Sequence, residues 1–589
     1  MTYQSPLRDM RFILEHVVDL PSISRLPGME EFSDELAWAV LDEAAKFASG
    51  VLAPLNRVGD EQGCRLEDDR VRTPDGWKEA FEQFREGGWI GLHMPTQYGG
   101  QGLPKILAAP ISEMWNSANH AFSLLPPLNA AAGAALDLAA DARLKDWFLP
   151  RLASGEWTGT MCLTEAQAGS DLAAVRTRAL PQADGSYRLH GQKVFITYGD
   201  HELAPNIVHL VLARTPDAAP GVKGISMFVV PKFLLDENGE PGARNDVHCI
   251  ALEHKLGLHG SPTCVMSFGD HGGAVGYLVG EVGRGLEYMF VMMNAMRLET
   301  GLQGPALAES AYQQAATYAR ERIQGRDRSG KPTAIVGHPD VKRMLMTMRA
   351  KLMATRMLSY QVAAWFDIAR HHADPAVAAQ CRARVDLLTP VAKAWNTEVG
   401  NELCGIAIQI HGGAGFVEET GIAQPYRDVR ITTIYEGTTG IQASDLVMRK
   451  LLRDGGAVLD GLIAEWRALS ARLRALGNAD GAAQFEQALD ELEQTVQWLR
   501  ECGNAQPEEA LAAAVPVLFQ LGLVCGAWLW TVTLVALQES TDRGDDAYHR
   551  TLSTLGNFYL AALLPQAGAH RRAALQGARW CQALQAEDF

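Results

Sequence analysis

Apolar residues recur at helical spacing between Glu30 and Ala53 and again between Asp75 and Gly88, the stripe left by a helix with one buried face. Leu124 to Leu149 is rich in Ala and Leu and carries a Pro pair near its start, another helix signal. Residues 1–157 are therefore predicted as a helical domain. The period then changes. SYRLHGQKVFIT follows the Asp184-Gly185 turn signal, and NIVHLVLAR, ISMFVVPKF and TCVMSF are β-branched or aromatic runs bounded by Gly, Pro and Asp, so residues 158–275 are predicted as a β domain. Helical periodicity returns after it: Ala308, Ala311, Tyr312, Ala315, Tyr318 and Ala319 share one face, and the stretches 340–370 and 381–408 behave alike, which assigns 276–455 to a helical bundle. Past Asp454-Gly455-Gly456, residues 456–589 read as an additional helical domain rich in Ala, Leu and Gln. The predicted class is mostly α with a central β domain.

One stretch raises a membrane question. Ala510 to Gln538 carries no charge and is long enough to cross a bilayer. Pro516, Gln520, Thr531 and Thr533, acidic rather than basic flanks (Glu508, Glu509, Glu539), and the lack of a second such stretch point instead to a helix buried on every side within a bundle. Membrane association is not expected. The chain's 589 residues, 47% of them hydrophobic, suffice for several packed cores. Fifty-three Lys and Arg against 69 Asp and Glu leave a formal charge of −16, and from Leu451 onward ten basic residues face seventeen acidic ones, so no nucleic-acid partner is expected. Nine scattered Cys never form C-x-x-C, as suits reduced thiols, and Asp9, Glu15 and Asp19 break any signal or transit pattern; a cytoplasmic protein is expected.

Several familiar motifs fail on inspection. Gly325 to Lys331 has the G-x4-G-K spacing of a phosphate loop, but Pro332 takes the Ser/Thr position. Gly280, Gly283 and Gly285 are out of register for a dinucleotide fingerprint, so nicotinamide is not implied. His371-His372 and the other His residues lack metal-ligand spacing, and no metal site is proposed.

Four segments carry the candidate chemistry: GGWIGLHMPTQYGGQGL at 87–103; TMCLTEAQAGSD at 160–171 with VFIT at 194–197; KLGLHGSPTC at 255–264; and IQIHGGAGFVEETGIAQPYRDVRITTIYEGTTGIQ at 408–442. In the second, main-chain amides and the hydroxyls of Thr164 and Ser170 are free to point into an interdomain cleft, the usual seat of a large cofactor. In the fourth, paired glycines let backbone approach a ligand with no Cβ in the way.

In this order the four segments resemble the acyl-CoA dehydrogenase family over about residues 35 to 450. The resemblance implies a helical N-terminal domain, a β-barrel-like middle domain and a helical bundle with FAD between them. By resemblance, Phe195 covers one face of the isoalloxazine, in place of the more frequent Trp, and Thr197 bonds its N5 edge; Met161, Leu163, Thr164, Gly169, Ser170, Ile196 and Thr438 complete the flavin contacts. Arg322 resembles the arginine that meets the FAD pyrophosphate and His338 another FAD contact, although Phe is absent before the Gly and Pro339 replaces Gln. Gln409, Gly412 and Gly413 meet the adenosine-diphosphate end of FAD in a neighbouring subunit.

The resemblance makes Glu436, in IYEGTTG, the base that takes the pro-R α-proton of an acyl-CoA while flavin N5 accepts the β-hydride, giving a trans-2-enoyl-CoA. The thioester carbonyl would lie between the Glu436 N–H and the ribityl 2′-hydroxyl. Exclusion of water should raise the Glu436 pKa. Ser170, Asn294, Arg297, Tyr435 and Gly437 are the implied substrate contacts, Asn294 standing where Asp is common. Some members carry their base just before the arginine that matches Arg297; here that residue is Met296, and Glu299 is a weaker second candidate. The extra C-terminal domain resembles that of the large dehydrogenases for very long chains and for 3-methylthiopropanoyl-CoA, which tend to be homodimers. A straight-chain fatty acyl-CoA is the expected substrate, with 3-methylthiopropanoyl-CoA as the alternative, and electron-transfer flavoprotein the expected acceptor. The same fold used as an oxidase, or as a flavin-binding interaction protein with vestigial catalysis, are the competing readings.

Overall fold

The computed structural model describes residues 3–29, 32–503, 505–539 and 546–589; Glu30, where the first predicted stripe begins, lies outside them. That stripe runs as a helix over Asp34–Phe47, capped by Ser33 accepting from the Leu36 N–H at 3.1 Å, then as a π-turn and a second helix to Gln62. α1 (Lys105–Ala118) has no cap of its own. Asp367, from a distant helix, accepts from the Lys105 and Ile106 N–H groups at 2.9 and 2.8 Å, and burial pushes its carboxyl up to about 6. The predicted Leu124–Leu149 helix is two helices, α2 (Leu125–Ala139) and Ala142–Ser154, because Asp141 breaks the run and caps the second through the Leu144 N–H.

The middle domain is built from β1 (Trp157–Cys162), β2 (Arg178–Pro181), β3 (Tyr187–Thr197), β4 (Asn206–Ala213), β5 (Ser226–Pro231), β6 (Val247–Leu252), β7 (Thr263–Phe268) and β8 (Ala274–Val279). Seven follow the order β6-β7-β3-β8-β5-β4-β1, with β2 on β3. Neighbours are antiparallel except β1 and β4. β4 explains its own unbroken apolar run. Val208, Leu210 and Leu212 pack towards α2 and the Ala142–Ser154 helix, while Val211 and Ala213 join a second core with Leu189, Phe228 and Met266, so both faces are buried.

The bundle consists of α3 (Gly285–Glu321), α4 (Pro339–His371) and α5 (Pro375–His411). α3 and α5 cross at backbone contact. A Cβ on Gly304 would lie 2.2 Å from the Asn396 carbonyl oxygen, and one on Gly400 would lie 2.7 Å from the Gly304 Cα. The rest of α3 is kept close by the same crossing, with Ala308, Ala311, Ala315 and Ala319 all buried. Glycine 325 to lysine 331 forms the turn of a two-stranded hairpin, Ile323–Arg326 with Pro332–Ala334, whose Asp327 carboxylate accepts from the Ser329 and Lys331 N–H groups.

The additional domain packs α6 (Ala457–Ala475) and α7 (Ala479–Cys502) around α8 (Pro507–Glu539). Among the described residues α8 is the one helix long and apolar enough to cross a membrane, and 72% of its most apolar window is buried. Its Trp528 stacks between Trp365 and Trp466 at 5.7 and 5.3 Å, Trp530 donates to the Ala350 carbonyl at 3.0 Å, and Gln520 accepts from Thr495 at 2.8 Å. The stretch is thus the inner helix of a bundle docked on α4. Gly304→Ala should wedge α3 from α5 and lower stability by about 1–3 kcal/mol, read from the denaturant midpoint; an unchanged midpoint would mean that the crossing tolerates a methyl.

Candidate active site

The site forms where the sheet meets the bundle. On the sheet side, β3 pairs with β7 so that Lys193 faces Met266 and Ile196 faces Cys264, leaving Val194 and Phe195 opposite the single residue Val265. This bulge turns Phe195 outward with φ of +61° and its ring 62% exposed, while Ile196 stays in the sheet core and Thr197 pairs with Thr263. A strained residue displaying a large apolar ring is what a flat ligand ring needs.

Beside it, the loop that follows β1 is held to β3 by a buried ion pair. Lys193, wholly buried, donates to Glu165 at 2.8 Å and to the Leu163 carbonyl at 3.0 Å, and the Val194 N–H donates to the Thr164 carbonyl at 2.9 Å. Burial works against ionisation of Glu165, yet Lys193, Thr177 and the Arg176 N–H overcome it and hold the carboxyl down at about 2. Met161, Leu163 and Thr164 are half-buried at this seam, and Gly169 and Ser170 are exposed at the loop tip, where Asp171 caps a short turn by accepting from Ala173. Just past Thr197, Tyr198 ties the strand to the N-terminal helices, donating to the Ala121 carbonyl at 2.9 Å and accepting from Trp77 at 3.3 Å. The 255–264 loop joins the bundle through Asp428, which accepts from the Leu258 N–H at 2.6 Å.

On the bundle side, residues 435–438 form a tight loop in which Glu436 and Gly437 are both left-handed, at φ of +54° and +92°. Tyr435 donates to Gln303 of α3; Gln442 donates to the Glu436 carbonyl at 3.0 Å; Lys393 of α5 donates to the Gly437 carbonyl at 2.7 Å. Thr438 uses its hydroxyl as an N-cap, accepting from Ile441 at 3.3 Å. Glu436 is half-buried, and desolvation pushes its carboxyl up to about 7 against the opposing pull of Lys393 and Arg297. Among the described residues Arg297 donates to no carboxylate: its Nη1 donates to Asn294 at 3.3 Å, and its buried Nε has no hydrogen-bond partner. Glu299 is corrected as a second base: it is buried and taken by Lys105 at 3.2 Å and Ser112 at 2.7 Å. Met296 lies in the apolar core.

The remaining predicted residues gather elsewhere. Gln409 is in the last turn of α5, about 24 Å along the helix from Lys393 at 1.5 Å per residue, and Gly412 and Gly413 follow the helix end. Tyr318 stacks on His411 at 4.4 Å, Ile335 donates to the Arg322 carbonyl, and His338 contacts the Gln324 carbonyl at 2.8 Å, so Arg322 and His338 belong to this same far end of the bundle. A methyl built on Gly169, Gly412 or Gly413 would meet no atom within 4 Å, and Phe416, in the same turn as the latter two, stands 92% exposed. Open glycine backbone, exposed cations and a displayed aromatic ring fit a long cofactor with a flat ring and a phosphate-linked tail. Lys393, Gln303, Gln442, Asp428 and the Glu165–Lys193 pair were not read from sequence. A lone Lys within the apolar run of α5 was the available signal. Asp246, His248 and His271 also approach one another, with ligand-type atoms within 4.8 Å, but the Asp246 carboxylate accepts from the His271 and Gly273 N–H groups and organises that loop.

Family models match in the same order as the domains: the acyl-CoA dehydrogenase N-terminal domain at 35–156, the middle domain at 160–271, the C-terminal domain at 283–451, and an acetyl-CoA dehydrogenase C-terminal-like domain at 462–585. The chain is 44% identical to the 3-methylmercaptopropionyl-CoA dehydrogenase of Ruegeria pomeroyi over 560 residues, 93% of each chain. The chain belongs to the acyl-CoA dehydrogenase family. It is 33% identical to a butyryl-CoA dehydrogenase of Syntrophomonas wolfei over 96% of its own length and 95% of that protein's. The acyl-CoA dehydrogenase of Bacillus anthracis, solved with FAD, shares the fold with a TM-score of 0.72 at 22% identity, covering 95% of this chain and 92% of that one. As a member of this family the protein is an FAD-dependent oxidoreductase acting on acyl-CoA.

Proposed function

We propose that this acyl-CoA dehydrogenase removes the α-proton of its substrate with Glu436. The observation that carries the reading is a half-buried carboxylate, raised to about 7, on a left-handed loop clamped between α3 and α5 and under the pull of Arg297 and Lys393. Near neutrality such a group is a stronger base than an ordinary carboxylate while remaining substantially ionised. Bound FAD supplies an oxidised ring able to accept a hydride. The chain does the rest: Phe195 offers an apolar surface to that ring, Glu436 takes the α-proton, and the Glu436 N–H, with its own carbonyl already held by Gln442, is available to the thioester oxygen as charge develops there. The α-proton leaves to the carboxylate, the β-hydrogen departs with its electron pair, and the Cα–Cβ double bond forms.

For the substrate we infer a short acyl-CoA, with 3-methylthiopropanoyl-CoA favoured over butyryl-CoA by the higher identity to the Ruegeria enzyme. Butyryl-CoA would be the short member of the straight-chain fatty substrates expected from the sequence. We further propose electron-transfer flavoprotein as acceptor, and a homodimer in which the open Arg322–Gly412 end of one bundle, with Gly412, Gly413 and Phe416 exposed, completes the FAD site of its partner.

Glu436→Gln should cut kcat by at least ~10³-fold with FAD still bound, since the base is lost and the cofactor contacts remain. Because only the ionised carboxylate accepts a proton, wild-type kcat/KM should rise with pH through about 7 and fall below it; a flat profile from pH 5 to 9 would remove Glu436 from the proton transfer. A survey of C4 to C18 thioesters with the methylthio analogue should peak at the short end, with electron-transfer flavoprotein reduced and little peroxide formed in air. Turnover highest at C12 or longer, or stoichiometric peroxide, would overturn those assignments. Light scattering should give about twice the 64.0 kDa chain mass, and a monomer retaining FAD would refute the shared site.

A further inference from the structure

The mechanism uses Glu436 but leaves open what holds it. A non-glycine residue in the left-handed region costs on the order of 1 kcal/mol or more and persists only where its surroundings over-determine it. Here the surroundings are two side chains. The carbonyls of Glu436 and Gly437 point to different donors: the first to Gln442, fully buried on the helix that follows, the second to Lys393, fully buried in the middle of α5. Gly437 is the position where that carbonyl is aimed into the bundle, at φ of +92°, and a Cβ there would lie 2.7 Å from Gln442 Nε2. A lysine whose ammonium is removed from water and spent on one peptide oxygen is a costly way to hold a loop if its charge plays no part.

We propose that Lys393 is a positioning residue for the base: its buried ammonium fixes the Gly437 peptide, and with it the left-handed turn that aims Glu436, and supplies the positive charge against which that carboxylate ionises. The inference rests on the reading of Glu436 as the base. The groups facing the loop support it from each side. Lys393 comes from α5, Arg297 from α3, and Tyr435 from the loop itself with its hydroxyl committed to Gln303; Glu398, one turn beyond Lys393, is engaged by the Thr439 hydroxyl at 2.6 Å. Lys393 and Arg297 are the two cations that pull Glu436 back towards ionisation against its burial. Burial in turn brings Lys393 down to about 8, with Glu436 and Glu398 opposing that fall and Arg297 adding to it. The lysine therefore remains mostly charged at neutral pH, and it is the ionised base that it favours. Arg297, half-buried on the substrate side, lacks this backbone contact, so the two cations are not equivalent.

The test separates charge from geometry in the FAD-loaded enzyme. 3-Thiabutanoyl-CoA has sulfur at the β position and no β-hydrogen, so abstraction of its α-proton is read as exchange with solvent deuterium by NMR, with no redox step. Wild-type exchange should rise through an apparent pKa of about 7. Lys393→Met should move that limb upward by about half a pH unit or more and slow exchange at pH 6.5 by at least about two- to threefold, with FAD content unchanged. Lys393→Gln, which keeps a donor for the Gly437 carbonyl without the charge, should show the displaced limb with a higher plateau than Lys393→Met, and Lys393→Arg should return the limb to its wild-type position. If Lys393→Met does not fold, the Gln and Arg variants carry the comparison. A wild-type limb in Lys393→Gln would overturn the electrostatic role, and plateaus equal to wild type in both neutral variants would overturn the positioning role. Absence of exchange in the wild-type enzyme would instead refute Glu436 as the base.

Discussion

A carboxylate proposed as a base has to be kept from water without being neutralised, and that constraint fits the arrangement around Glu436. Burial alone would leave Glu436 protonated at neutral pH, and full exposure would leave it a weak base. The compromise is a loop clamped between two helices, one contributing Arg297 and Gln303, the other Lys393. The clamp works because α3 and α5 cross through Gly304 and Gly400 with no side chains between them. Any spacer there would separate the cations from the loop they serve.

The sheet meets this clamp with a different kind of strain. At Phe195 a bulge reverses the alternation of β3, and the cost of a left-handed phenylalanine is offset by anchors on both sides: Lys193 with Glu165 before it, Tyr198 with Trp77 and Ala121 after it. Those anchors reach the preceding loop and the N-terminal helices. Two domains therefore meet at one strand end, and the displayed ring stands beside that junction.

The additional domain stabilises the bundle from its other side. α8 is buried by α6, α7 and α4, and its three-tryptophan stack with Trp365 and Trp466 spans the junction, so an apolar segment of membrane-spanning length becomes an interior helix. The opposite end of α5 stays open, with Gly412, Gly413 and Phe416 exposed. One long helix thus carries Lys393 beneath the Glu436 loop and, about 24 Å away at 1.5 Å per residue, Gln409, with the exposed glycines just past its end.

Periodicity by itself determined the order of helical, β, helical and helical units, because burial of one face writes a period into any chain. The ordered motifs likewise singled out Glu436, Phe195 and the paired glycines, since the chemistry and close approach proposed for them would restrict residue type locally. Other features had no local signature. The bulge that exposes Phe195 depends on how β3 registers with β7, the split of the Leu124–Leu149 run on a single capping aspartate, and the use of Glu299 on where α1 happens to lie. Lys393 and Gly437 stand 44 residues apart, and only the helix crossing brings an ammonium to that carbonyl. Residue type is chosen by local chemistry and can be read along the chain, whereas partnership between distant charges follows from packing, which exists only once the chain has folded.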